Sequence, residues 1–221
     1  MLQMNRTGQV NSGHLILLSI VGIPVTALLA ATWLWYFVVH GDLDLIGILG
    51  TANRGSLIQP PRALNEGGLT AVSGTTLIYT DLPAKWAFLI PGSDRCEAVC
   101  QQTLYQTRQI HRAMGKESNR IRRIYVSDVP LADSHFDLAG LSDNRPLPES
   151  FADFLALEHP GLRTFEVSPE AHTLLFAEYT ASSGVWYLVD PKGWIMMSYT
   201  PMQTYKEIMT DLQFLLKNSN E

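Results

Sequence analysis

The chain has 221 residues, 46% of them hydrophobic, and a formal net charge of -5. This length predicts one ordinary domain with an appendage and argues against two full domains. The 16 basic residues are scattered rather than clustered, so nothing favours nucleic acid as a partner. The two cysteines are too few for a disulfide scaffold or a four-thiolate zinc site, which leaves one disulfide, one redox pair or part of one metal site.

The first predicted element is a membrane helix. Residues 15–39 carry no charge over 25 positions, and about 20 are enough to cross the hydrocarbon core of a bilayer. Aromatic residues at 33–37 suit the interface at its C-terminal end. A cleavable signal peptide is the alternative, because small residues at 27–31 resemble a cleavage site. The apolar run continues well past them, which favours an uncleaved anchor.

Flanking charges give this anchor an orientation. Arg6 precedes the helix, whereas Asp42 and Asp44 follow it. The positive-inside rule therefore places residues 1–14 in the cytoplasm and the rest of the chain outside. For a bacterial chain this means a single-pass protein of the inner membrane with a periplasmic C-terminal domain, where thiols can oxidise.

Beyond the anchor we predict a linker over residues 40–62, which includes Pro60 and Pro61, and a folded domain over residues 63–221. Short apolar runs alternate with helical patterns in this domain, which indicates a mixed α/β sandwich. The turn Asp190–Gly193 predicts a β-hairpin. The predicted strands cover 77–79, 86–90, 121–126, 162–167, 185–189 and 194–199, and the predicted helices cover 94–114, 149–158, 169–179 and 203–217.

The two cysteines follow a strand that is predicted to be buried. Asp94 suits a helix N-cap, and Glu97 completes a capping box with it. This places Cys96 in the first helical turn, where free N–H groups and the helix dipole favour a thiolate. Cys96 is therefore the predicted nucleophile.

Cys100 lies one turn further on the same helical face, roughly 6 Å from Cys96 between Cα atoms. That distance suits a disulfide. Two thiolates so placed also suit Cu(I), which prefers sulfur ligands. A third interpretation is a structural disulfide, although so small a loop yields little stabilisation. The spacing alone leaves all three open.

A strand, a short turn, a cysteine pair at a helix N-terminus and a later hairpin with a terminal helix together resemble the thioredoxin superfamily. The C-x3-C spacing is similar to that of the Sco/SenC proteins, membrane-anchored factors that help to build the copper centre of cytochrome c oxidase. The resemblance covers residues 63–217 and includes 81–86, 127–128 and 185–193. It implies a thioredoxin-like sandwich with one N-terminal transmembrane helix, and an oxidase subunit or another assembly factor as partner.

The chain departs from the Sco/SenC pattern in two places. Glu97 and Gln101 stand where those proteins have prolines. Ala181 and Ser182 stand where they have an Asp-His pair, whose histidine is the third copper ligand. The resemblance therefore implies a thiol–disulfide oxidoreductase in oxidase assembly. A Cu(I) metallochaperone using Cys96 and Cys100, and a non-catalytic assembly scaffold, are the alternatives.

Three further residues complete the candidate site. Asp128, at a strand end, is predicted to accept the thiol proton. His135, in a long loop over 129–148, is the histidine most suited to complete a copper site, whereas His172 is expected to be solvated. Ser93 and Cys96 also half-match a peroxiredoxin motif, which adds thiol peroxidase as an alternative, although Leu89 stands where those enzymes have proline.

Overall fold

A computed structural model describes residues 12–39, 53–71, 78–136 and 148–219. The chain divides into two compact units, Met1–Ala52 and Asn53–Glu221. The first contains helix α1 (Ser12–Val39). Its segment Ile16–Tyr36 has a mean hydropathy of 2.1 and is not buried against other described residues. This helix fits the predicted single-pass anchor. The predictions for residues 1–11 and 40–52 lie outside the described residues.

The second unit is built on a seven-stranded sheet in the order β1-β9-β8-β3-β5-β7-β2, with a separate ribbon of β4 and β6. Strands β3, β5 and β7 run parallel, and β8, β9 and β1 continue the sheet antiparallel. The elements are β1 (Ser56–Ala63), β2 (Thr70–Ala71), β3 (Trp86–Gly92), β4 (Arg95–Cys96), α2 (Ala98–Ala113), β5 (Ile121–Ser127), β6 (His135–Phe136), α3 (Phe151–Glu158), β7 (Leu162–Glu166), α4 (Pro169–Leu175), β8 (Trp186–Val189), β9 (Trp194–Tyr199) and α5 (Tyr205–Asn218).

Both faces of the sheet are covered. All seven residues of β3 are buried, and their side chains alternate between two hydrophobic clusters. Phe88 belongs to the cluster that also holds Leu104 of α2 and Leu212 of α5. Leu89 belongs to the cluster that holds Leu175 of α4. A mixed sheet whose central strands are covered by helices on both faces has this pattern, so the predicted mixed α/β sandwich is confirmed.

Strand β1 corrects the predicted linker. Its residues 56–63 pair antiparallel with β9, with a register shift between Leu57 and Arg62. Pro60 and Pro61 fall inside this irregular stretch, and an edge strand tolerates residues that lack an N–H donor. The prolines predict a linker from their local sequence, but the folded unit already includes Ser56.

Other boundaries differ in smaller ways. The strand predicted over 77–79 is wrong at Tyr79, which begins a 3-10 turn, Tyr79–Asp81, and donates its N–H to Asn65 Oδ1 at 2.8 Å. Leu77 lies outside the described residues, as does the middle of the long loop, 137–147. Helix α4 ends at Leu175 rather than at residue 179.

The closing hairpin is confirmed. Asp190 Oδ1 accepts the N–H groups of Lys192 and Trp194, both at 2.9 Å. Gly193 has a φ of 92°, a conformation that glycine adopts without the steric cost that a side chain adds. Helix α5 then begins with a capping box between Thr204 and Glu207.

Candidate functional site

The cysteine loop follows the carboxyl end of β3. Strand β4 pairs in parallel with β6, so that Arg95 lies beside His135 and Cys96 beside Phe136. The His135 N–H also donates to the Asp94 carbonyl at 2.8 Å. The predicted helix start at Asp94 is therefore wrong, because this ribbon keeps residues 95 and 96 extended and delays the helix.

Helix α2 begins at Ala98, with Glu97 as its N-cap. Cys100 is thus the third residue of the helix and lies in its first turn, while Cys96 lies outside the helix. The helix dipole and the free N–H groups of the first turn therefore favour a thiolate at Cys100 rather than at Cys96. The nucleophilic role of Cys96 loses that support and stays a prediction.

The two cysteines form a disulfide, with 5.1 Å between their Cα atoms. Their surroundings differ. Cys96 is 0% exposed, and its carbonyl accepts a hydrogen bond from Gln101 Nε2 at 3.1 Å. Cys100 is only half-buried. Cys100 is therefore the more accessible of the two cysteines.

Asp128 lies immediately after β5, the strand next to β3, and is half-buried. Its Oδ1 is buried without a hydrogen-bond partner among the described residues. This carboxylate raises the pKa of His172, although burial of that ring has the larger effect and lowers the pKa overall. Asp128 and His172 therefore interact behind the cysteine loop.

His172 is the residue that sequence reasoning missed. It is 6% exposed rather than solvated, it lies close to the backbone of Gly92, and it packs edge-on against Tyr179 at 5.6 Å between centroids. Tyr179 in turn lies close to Ser93 and lines a small crevice beside Cys100. Helix α4 has only seven residues, too few for a hydrophobic periodicity that would predict which face is buried. The burial of His172 depends on how this helix packs on the sheet.

A cavity of about 230 Å³ opens beside the cysteine loop. Residues 93–95 and 97–99, on either side of the buried Cys96, line one side, and Ala181 and Ser182 line the other. These two residues occupy the positions where the resemblance placed the missing Asp-His pair. Ser182 therefore lies at the cysteine loop, as that alignment requires.

The structure places His135 beside the loop only through its backbone. Successive side chains of a strand point to opposite faces, so His135 lies on the side of Arg95 rather than of Cys96. Among the described residues, no group of three His, Cys, Asp or Glu side chains is arranged to hold a metal ion. His135 as a third copper ligand stays a prediction.

Comparison with known proteins shows which family the chain belongs to. Residues 86–219 match the model of a transmembrane-like, thioredoxin-like C-terminal domain. This match spans the strand before the cysteine loop, the loop itself and the closing hairpin with α5. No curated protein matches the chain significantly.

Solved structures show the fold. The chain is similar to Sco1 of Thermus thermophilus, with 20% identity, 75% of this chain and 98% of that one covered, and a TM-score of 0.52. It is also similar to copper-bound Sco1 of yeast, with 14% identity, coverage of 77% and 97%, and a TM-score of 0.51. Copper-bound ScoI of Arabidopsis thaliana gives 16% identity, coverage of 72% and 98%, and a TM-score of 0.50. The predicted thioredoxin-like fold of the Sco type is thus confirmed.

We expect the two cysteines of the reduced protein to differ in reactivity. Because Cys96 is buried and Cys100 is half-exposed in the first turn of α2, limiting iodoacetamide should modify Cys100 at least about tenfold faster. Peptide mass spectrometry over time measures both rates in one sample. Faster labelling of Cys96 would show that reduction rearranges the loop and would restore Cys96 as the attacking residue.

Proposed function

Because the chain belongs to the family of transmembrane-like proteins with a thioredoxin-like C-terminal domain, we propose that it is a membrane-anchored thiol–disulfide exchange factor in cytochrome c oxidase assembly. The observation that carries the proposal is the Cys96–Cys100 disulfide, which joins one buried and one half-buried cysteine in the loop and helix that follow β3. A purely structural bond across four residues would stabilise the fold little.

The exchange chemistry uses both sulfurs. In the reduced state the Cys100 thiolate attacks a partner's disulfide, and one partner sulfur leaves as a thiolate. Cys96 then attacks Cys100 in the mixed disulfide, and the second partner sulfur leaves. The partner gains two electrons and the Cys96–Cys100 bond forms again. A second thiol reductant regenerates the dithiol by the reverse route.

Asp128 is the proposed acceptor of the Cys96 proton in the second step. It follows the strand adjacent to β3, and its buried Oδ1 has acceptor capacity that no described residue uses. A carboxylate within hydrogen-bond reach of a thiol can act as its general base in one direction and as its general acid in the other.

Sco-like architecture supports the oxidase as the setting. The Sco/SenC proteins help to build the copper centre of that enzyme, and the solved structures of this fold include Sco proteins with copper bound. A cysteine binds copper as a thiolate, so any cysteine ligand of a copper centre must be reduced before the metal enters. An oxidase subunit or another assembly factor is therefore the proposed partner.

The proposed orientation has residues 1–14 in the cytoplasm and the cysteine domain in the periplasm. It rests on Arg6 before α1 and on Asp42 and Asp44 after it. Reporter fusions at residue 60 test it. A reporter that works only outside the cytoplasm should be active, and activity of one that works only inside would reverse the orientation.

Restoring oxidase activity in cells that lack this chain tests the function. The wild-type chain should restore it, and the Cys96→Ser/Cys100→Ser variant, expressed to the same level, should lose at least about nine-tenths of the restored activity, because it has no disulfide to exchange. Full activity of the double variant would show a non-catalytic scaffold. Rapid consumption of hydrogen peroxide by the reduced chain would instead show a thiol peroxidase.

Transport of Cu(I) is the second candidate function, favoured by the cavity that brings Ser182 to the cysteine loop. Reduced Cys96 and Cys100 would supply two thiolates to the ion. Ser182 offers a hydroxyl, which is a hard and poor ligand for a soft cation. The cargo would therefore be held by two protein ligands.

The Ser182→His variant should bind Cu(I) at least about tenfold more tightly than wild type, because an imidazole would then reach the ion beside both sulfurs. Competition with a chelator of known affinity measures the change. Ser182→Ala is the matched control and should bind as wild type does. No gain for Ser182→His would show that the ion does not bind at this cavity.

A further inference from the structure

A second cavity, of about 370 Å³, lies away from the cysteine loop and is unusually basic. Its charged lining consists of Arg108 and Arg112 of α2, Arg123 of β5 and Glu158 at the end of α3. Three guanidinium groups thus face one carboxylate. The chain as a whole carries a net charge of -5, so this local excess of positive charge is not a consequence of composition.

Arg123 is the central observation, because this buried cation forms no salt bridge within the described part of the chain. It is only 3% exposed, and none of the salt bridges among the described residues includes it. Burial and the nearby Arg108 lower the pKa of Arg123 to about 10, which leaves it charged at neutral pH. A buried charge is costly unless an opposite charge or a full set of hydrogen bonds compensates it.

The partners of Arg123 do not supply that compensation. Its Nη2 donates to the Leu104 carbonyl at 3.0 Å and lies 3.4 Å from both Thr107 Oγ1 and His159 Nδ1, all uncharged acceptors. Burial and the two arginines lower the pKa of His159 to about 3, so this ring is neutral. The Nε atom of Arg123 is buried without a partner among the described residues.

Neighbouring groups do not neutralise the cavity either. Glu158 is engaged by Arg108, which donates to its side chain and to its backbone carbonyl. Arg112 is exposed in the last turn of α2, where a cation interacts favourably with the helix dipole. Glu158 therefore balances the charge of Arg108, and the dipole of α2 partly balances that of Arg112. Among the described residues, neither of these contacts balances the charge of Arg123.

We propose that this cavity binds a small oxyanion, a phosphate or a carboxylate-bearing molecule. A guanidinium presents its N–H groups as a planar fork that matches two oxygens of such an anion. The bound anion would accept hydrogen bonds from the partly unused donors of Arg123 and would place its negative charge between Arg108, Arg112 and Arg123. The proposal is independent of the function proposed for the cysteines.

Titration calorimetry of the full chain in detergent tests the site, with inorganic phosphate and citrate as the two probes. One or both should bind saturably, with one anion per chain and a dissociation constant below about 20 mM. The ionic strength of the buffer is held constant with sodium chloride. Tighter binding of phosphate than of citrate, or the reverse, identifies which oxyanion the site prefers. No saturable binding of either probe would overturn the proposal.

Variants locate the binding. Arg112→Gln, at an exposed position that the fold does not need, should weaken binding about tenfold through the loss of one charge-assisted contact. Arg163→Gln removes an exposed arginine outside the cavity and should leave binding unchanged. Arg123→Met should abolish binding, and if it fails to fold, Arg112→Gln still decides. Equal binding by wild type and Arg112→Gln would overturn the proposal.

Discussion

Close packing at the end of β3 fixes the position of the cysteine loop. A Cβ atom on Gly92 would lie 1.9 Å from the hydroxyl oxygen of Tyr125, and Tyr125 is itself fully buried among core side chains. Any side chain at residue 92 would displace this buried ring, so the close approach of the backbone to Tyr125 requires glycine. The β4–β6 ribbon and the contact of His172 with the Gly92 backbone then hold the loop from two sides.

Local patterns were enough to predict the core of the sheet but not the surroundings of the cysteines. The five longer strand predictions in the domain are apolar or alternating runs, a pattern that is visible in each segment by itself. The start of α2 could not be predicted in this way. The ribbon that shifts it pairs Cys96 with Phe136, a partner forty residues away, and the competing capping signal of Asp94 and Glu97 is entirely local. Similarly, Pro60 and Pro61 suggested a linker because nothing local reveals that β9 lies beside them.

Helix α2 carries residues of both proposed sites. Cys100 lies in its first turn and Arg112 in its last, roughly 18 Å apart at 1.5 Å per residue. Arg123 meets the same helix nearer its start, at the Leu104 carbonyl. The variants that test oxyanion binding leave both cysteines unchanged, so the two sites can be tested separately.

Redox titration of the Cys96–Cys100 pair tests disulfide exchange most directly. The full chain is equilibrated in glutathione buffers of graded potential, trapped by alkylation and weighed by mass spectrometry. Exchange predicts that both cysteines pass together from disulfide to dithiol, reversibly, with a midpoint between about -180 and -300 mV, the range in which biological thiols act as partners. A midpoint below about -300 mV would contradict the proposed function, because structural disulfides have potentials in that range.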